Sequence, residues 1–197
     1  MKTISLIALF IYAIGLKAQS FRKLSGTETS ELALHSGILY SPESEAIFIS
    51  TYNMGIFRST DQGNSWHHVL NLPKDQPVTA LFAAKNGNVF GGSFGKIYRS
   101  VTNGDKWQDT SVDFTLIRSF AEGQNGNIYV CSTDSVGILK SSDDGLTWLR
   151  NTSGLPGNFV NNMVGDGNGN LFCTLLADEK TAPGGLFFWD EQQHQTV

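Results

Sequence analysis

Short apolar segments broken by turn residues occupy the chain from residue 38 onward. Ile38–Tyr40, Val78–Ala84, Ile117–Ala121 and Val160–Val164 are each followed by a turn, and the next apolar run begins within about five residues. Asn86-Gly-Asn, Asn125-Gly-Asn and Asn168-Gly-Asn fill three of those turns, and Ser41-Pro-Glu-Ser-Glu45 fills the first. Asn-Gly between apolar runs is a strong hairpin signal, because Gly adopts positive φ without strain and Asn tolerates it. Few stretches have the 3.6-residue period of an amphipathic helix. The pattern predicts short antiparallel strands throughout.

Those strands recur with a fixed period. Gly55–Trp66, Lys96–Trp107 and Gly137–Trp148 align residue for residue, with Ser59, Ser100 and Ser141 spaced 41 apart, like Trp66, Trp107 and Trp148. Each repeat reads as strand A, tight turn, strand B, loop, strand C, tight turn, strand D. Four short strands in about 40 residues is the blade of a β-propeller. In the last repeat Gly185-Leu-Phe-Phe-Trp189 aligns with Gly55–Ser59. Trp189 therefore occupies the place of Ser59, despite lying 41 residues after Trp148. A longer B–C loop, Ala177–Gly184, causes the shift, and the chain stops in the fourth C–D turn. The missing D strand is sought in Phe21–Ser25, which would close a four-blade ring; the other reading is a fragment of a larger propeller.

The C–D turns carry a motif. Ser59-x-Asp61-x-Gly63-x-Ser65-Trp66 and Ser141-x-Asp143-x-Gly145-x-Thr147-Trp148 fit Ser-x-Asp-x-Gly-x-Ser/Thr-Trp fully; the middle copy keeps Ser100, Gly104 and Trp107 but has Thr102 and Lys106. This resembles the Asp-box (bacterial neuraminidase) repeat of sialidases, xyloglucanase-type glycosidases, sortilin-type receptors and photosystem-assembly-factor-like propellers. The resemblance implies an all-β propeller of four-stranded antiparallel blades, about four of them visible, with the motif residues structural. An Asp in a turn accepts backbone N–H bonds, Gly supplies a left-handed position, and Trp buries apolar surface.

The enzymes of that superfamily need more than the turns. The sialidase Phe/Tyr-Arg-Ile-Pro motif is absent: Arg58 and Arg99, followed by Lys140, recur at one repeat position and continue into the turn motif. A glycosidase needs two facing carboxylates, and Asp134 and Asp178, each following strand B, are the candidates. Asp166-Gly-Asn-Gly-Asn170 lacks the Gly and Glu of a calcium loop and reads as a hairpin turn. His67 and His68 alternate across a strand and cannot share a metal. Cys131 and Cys173 lie one residue out of phase on neighbouring B strands and are expected to point to opposite faces, unpaired. No metal or cofactor is implied.

Composition adds the compartment. Met1-Lys2, the apolar Ile4–Leu16 and small residues at Ala18 and Ser20 form a secretory leader pattern, so residues 1–19 read as a signal peptide and 20–197 as the propeller. Leader removal takes two lysines and moves the net charge from −4 to −6. With no basic block and no later apolar run of 18 residues, neither nucleic acid nor a membrane span is expected. The A–B and C–D turns share one rim, and the irregular B–C and D–A loops share the other. Binding is expected on the irregular rim, with Tyr52, Met54, Phe94, Asp134 and Asp178 as candidates. The resulting reading is an exported, non-catalytic propeller that binds a protein or glycan. An Asp-box glycoside hydrolase is the rival. A third reading comes from Gly154–Asn158, Val160, Asp166–Asn170 and Gly185–Phe187, which resemble periplasmic propeller repeats of two-component sensors.

Overall fold

The structure, a computed structural model, describes residues 34–134, 136–152, 154–177 and 184–189, with side chains from residue 37 onward. The leader, the Phe21–Ser25 segment and Asp178 lie outside the described residues. Among the described residues, fifteen strands form four antiparallel sheets, each hydrogen-bonded in chain order. Blade 1 comprises β1 (Leu34–Ser41), β2 (Ala46–Thr51), β3 (Gly55–Ser59) and β4 (His67–Leu70). Blade 2 comprises β5 (Ala80–Ala83), β6 (Val89–Ser93), β7 (Lys96–Ser100) and β8 (Gln108–Ser111). Blade 3 comprises β9 (Ile117–Glu122), β10 (Ile128–Ser132), β11 (Ile138–Ser141) and β12 (Leu149–Arg150). Blade 4 shows β13 (Val160–Gly165), β14 (Leu171–Leu175) and β15 (Gly185–Trp189). The chain is an all-β propeller array of about four blades, as the period predicts.

Apolar burial is organised between blades. Ala46, Phe48 and Ile56 of blade 1 meet Val78, Val89 and Tyr98 of blade 2 in one core. Phe90 and Ile97 of blade 2 meet Phe120, Ile128, Val130 and Leu139 of blade 3 in the next. Tyr129 and Ile138 of blade 3 meet Met163, Leu171 and Trp189 of blade 4 in the third. Alternation along a strand produces this arrangement, since successive side chains point to opposite faces. Each blade thus has an incoming face against its predecessor and an outgoing face toward its successor. In the position of Ser59, Trp189 presses edge-on against Tyr129, with centroids 5.2 Å apart.

One expectation changes, and a second holds with an addition from the stacking of the blades. Of the three Asn-Gly pairs, only Asn125-Gly126 has both residues at positive φ. At Asn86-Gly87 only the Gly is left-handed, and the Asn86 side chain accepts the Asn88 N–H instead (3.0 Å). The chain thus spends an asparagine side chain where a two-residue turn would use its backbone. Cys131 and Cys173 are free thiols on opposite faces, outgoing and incoming, of their own blades. Because the blades stack in order, those faces meet, and both thiols lie in the third core.

Candidate functional site

The C–D turns show what the motif residues do. The Ser59 hydroxyl accepts the Gly63 N–H (2.8 Å) and donates to Asp61 Oδ1 (2.8 Å). Asp61 accepts the Ser65 N–H on Oδ1 (2.8 Å) and the Ser65 hydroxyl on Oδ2 (2.6 Å). Ser141, Asp143, Gly145 and Thr147 repeat the net with distances of 2.6–2.9 Å. These donors hold both carboxyls at about 2; the Ser65 hydroxyl is the leading cause at Asp61, the Thr147 hydroxyl at Asp143. In the middle copy the Thr102 hydroxyl takes over, accepting the Lys106 N–H at 2.8 Å, while Gly104 N–H still reaches Ser100.

The motif also locks neighbouring blades. A Cβ on Gly104 would lie 2.8 Å from Phe48 Cε1, and one on Gly145 would lie 2.4 Å from Phe90 Cε1. Each glycine thus accommodates the B-strand aromatic of the preceding blade. Trp148 extends the contact, standing edge-on to Phe90 at 6.4 Å. Arg58 reaches from blade 1 to Asp105 in the next C–D turn at 2.8 Å and also bonds the Asn103 carbonyl. The recurring cation of strand C is therefore an interblade clasp in blade 1. The Asp166 turn is likewise self-contained: Asp166 accepts the Asn168 and Asn170 N–H groups and the Asn170 amide, which holds its carboxyl below the usual range.

On the opposite rim, Tyr52 and Phe94 are exposed, on B–C loops of successive blades. Met54 is half-buried; its N–H donates to Thr51 Oγ1 (3.0 Å), and its carbonyl bonds His68. His68 stacks on Phe57 at 4.4 Å, while His67 pairs across from Arg58, so the two histidines occupy opposite faces as expected. Asp134 is committed to its own blade: Oδ2 accepts the Thr115 N–H (2.8 Å) and Oδ1 the Val136 N–H (3.1 Å). It fastens the B–C loop to the D–A loop.

None of these four lines the groove that the fold builds. The first halves of the A strands of all four blades border a groove of about 340 Å³. Its walls include Ile38, Leu81, Arg118, Asn161 and Asn162. It lies toward the irregular rim, where A strands begin. The Arg118 guanidinium donates one bond to Asn161 Oδ1 at 3.1 Å across the blade 3–blade 4 boundary. Arg118 and Asn162 are exposed and Asn161 is half-buried. Sequence reading passed over these residues because they belong to no motif. The available signal was a repeat position that changes chemistry from copy to copy, Thr79, Arg118, Asn161, beside positions that keep theirs. Among the described residues, no helix is long and apolar enough to cross a membrane.

No curated protein matches the chain. Solved structures do, at low identity. The GH74 xyloglucanase from Xanthomonas campestris superposes with a TM-score of 0.67 and 17% identity over 91% of this chain and 33% of its own. The extracellular domain of a putative one component system from B. thetaiotaomicron gives a TM-score of 0.59 and 17% identity over 78% of this chain and 21% of its own. A GH74 enzyme from Niastella koreensis gives 0.58 and 16% over 81% and 29%. The chain spans between a fifth and a third of the length of these proteins, and the likeness concerns the fold. The DUF6242 beta propeller domain model matches residues 44–171, from the first A–B turn to the fourth B strand, so the chain belongs to that family.

Proposed function

We propose that this chain is an exported, non-catalytic propeller module with Asp-box-type turns, and that it holds a glycan or protein ligand on its irregular rim, over the axial groove. One contrast carries the reading. On the turn rim, the carboxylates of Asp61, Asp143 and Asp166 are consumed by their own loops. In the groove, Arg118 has donors beyond the one given to Asn161, and Asn162 lines the same groove. Rigid strands, apolar walls and a few converging polar groups suit ligand binding. An arginine there favours carboxylate or hydroxyl-rich ligands, since its planar fork donates in pairs. Export rests on the leader pattern, and the similar one component system domain described above is extracellular.

A hydrolase would need Asp134 available to substrate, whereas both its oxygens hold backbone N–H groups. The test is calorimetric titration with neutral and acidic oligosaccharides and acidic peptides. Arg118→Ala is expected to weaken binding at least tenfold with no change in melting temperature. Aryl-glycoside turnover that vanishes in Asp134→Asn would overturn the reading.

A further inference from the structure

The interfaces between blades follow one rule, and both ends of the array have the surfaces to continue it. On each outgoing face, a B-strand aromatic and a C-strand aliphatic form a hollow. The pairs are Phe48 with Ile56, Phe90 with Ile97, and Tyr129 with Ile138, all at most 1% exposed. A knob from the next A strand packs into the same core: Leu81, then Phe120 (6% exposed), then Met163 (4%). The strand registers make these three equivalent, since they pair through Gly91, Val130 and Cys173 to the same C-strand position.

Among the described residues, blade 4 repeats the hollow without a knob. Its aromatic is Phe172 and its aliphatic is Leu186, which is 71% exposed; Val164 (61%) and Phe188 (56%) extend the same face. A hollow of about 100 Å³ lies among Val164, Phe172, Thr174 and Leu186. Phe188 replaces the cation of the earlier blades and rests on Phe172 at 5.3 Å, so this face is more apolar than its internal counterparts. Blade 1 presents the converse. Ile38 pairs through Ile49 to Phe57, which makes it the equivalent of Leu81, Phe120 and Met163, yet it is 78% exposed, beside Tyr40 at 58%. Among the described residues, one end of the array is a knob without a hollow, and the other a hollow without a knob.

We propose that a second copy of this chain covers both faces, blade 4 of each protomer receiving Ile38 of the other, to give a two-fold ring of eight blades. Continuity with the three internal interfaces argues for the copy, because the same chain carries both halves of the joint. Eight blades is within the known range for propellers. Heterologous contacts made twice about a two-fold axis close on themselves, whereas a mismatch in curvature would give open polymers. Ile38 also borders the groove, so the joint is read from protomer mass and not from ligand binding.

Light scattering after gel filtration of the purified chain is expected to give twice the protomer mass. Leu186→Glu and Ile38→Glu should each give monomers with unchanged circular dichroism, since both side chains are exposed in the single chain. Mixed, the two variants should regain dimer mass, because one joint in the mixed pair combines an intact blade 4 with an intact blade 1. A wild-type monomer at the highest soluble concentration would overturn the proposal. So would a polymer growing with concentration, or loss of dimer in Leu186→Glu but not in Ile38→Glu, which would indicate docking of blade 4 on blade 4.

Discussion

Gly145→Ala is the substitution for which the fold makes the most demanding forecast. Gly145 has φ +83°, so any side chain there incurs the left-handed penalty of about 1–2 kcal/mol. The added methyl would also sit 2.4 Å from Cε1 and 3.1 Å from Cζ of Phe90. Phe90 cannot retreat easily, being fully buried and packed against Phe120 and Trp148 at 6.0 and 6.4 Å. Overpacking of this kind costs about 1–3 kcal/mol, for a total of about 2–5 kcal/mol. Gly126→Ala is the control: φ is +74°, and nothing lies within 4 Å of the new methyl, so only the backbone penalty of about 1–2 kcal/mol applies. Urea unfolding followed by tryptophan fluorescence measures both. Phe90→Leu removes the clashing ring atoms, so the Gly145→Ala/Phe90→Leu pair should be less destabilised than the sum of the singles by about 1–3 kcal/mol. If Gly145→Ala costs no more than Gly126→Ala, or the cycle is additive, the interblade role of the glycine is wrong.

The carboxyls of Asp61 and Asp143 titrate near 2 rather than at 3.8, so the stabilisation they give is complete above pH 4 and lost as pH falls toward 2. Asp143→Asn should shrink that acid-dependent loss in thermal melts, cost about 1 kcal/mol at neutral pH, and leave ligand affinity unchanged. Thr102→Asp with Lys106→Ser rebuilds in blade 2 the net of blades 1 and 3, and is expected to raise stability by about 0.5–1 kcal/mol in urea titrations; a neutral or negative result would mean that the Thr102 hydroxyl already does all that the carboxylate can.

Strand order, blade phase and the self-bonded turns around Asp61 and Asp143 were legible because they depend on local spacing. A turn satisfies its own backbone within five residues, so its chemistry is written in five residues. The displaced Trp189 was also legible, since the long loop before β15 shifts phase without altering the strand. The meeting of Cys131 and Cys173 was not, because strand alternation gives the face and only the stacking of sheets gives the neighbour. Arg118 and Asn161 stayed hidden for a related reason: they are 43 residues apart and meet across a blade boundary. The clasp between Arg58 and Asp105 is of the same kind, so the recurring cation was visible as a pattern before its partner was.

Because every core is shared by two successive blades, no sheet can dry its apolar side alone. As the chain emerges from the ribosome, Phe48 and Ile56 stay wet until Val78, Val89 and Tyr98 have followed them. Protection of backbone amides should therefore advance in steps of one repeat, each blade acting as the template against which the next condenses. A pause within a repeat would leave a single greasy face in water, and the same pause at a blade boundary would leave no more than that.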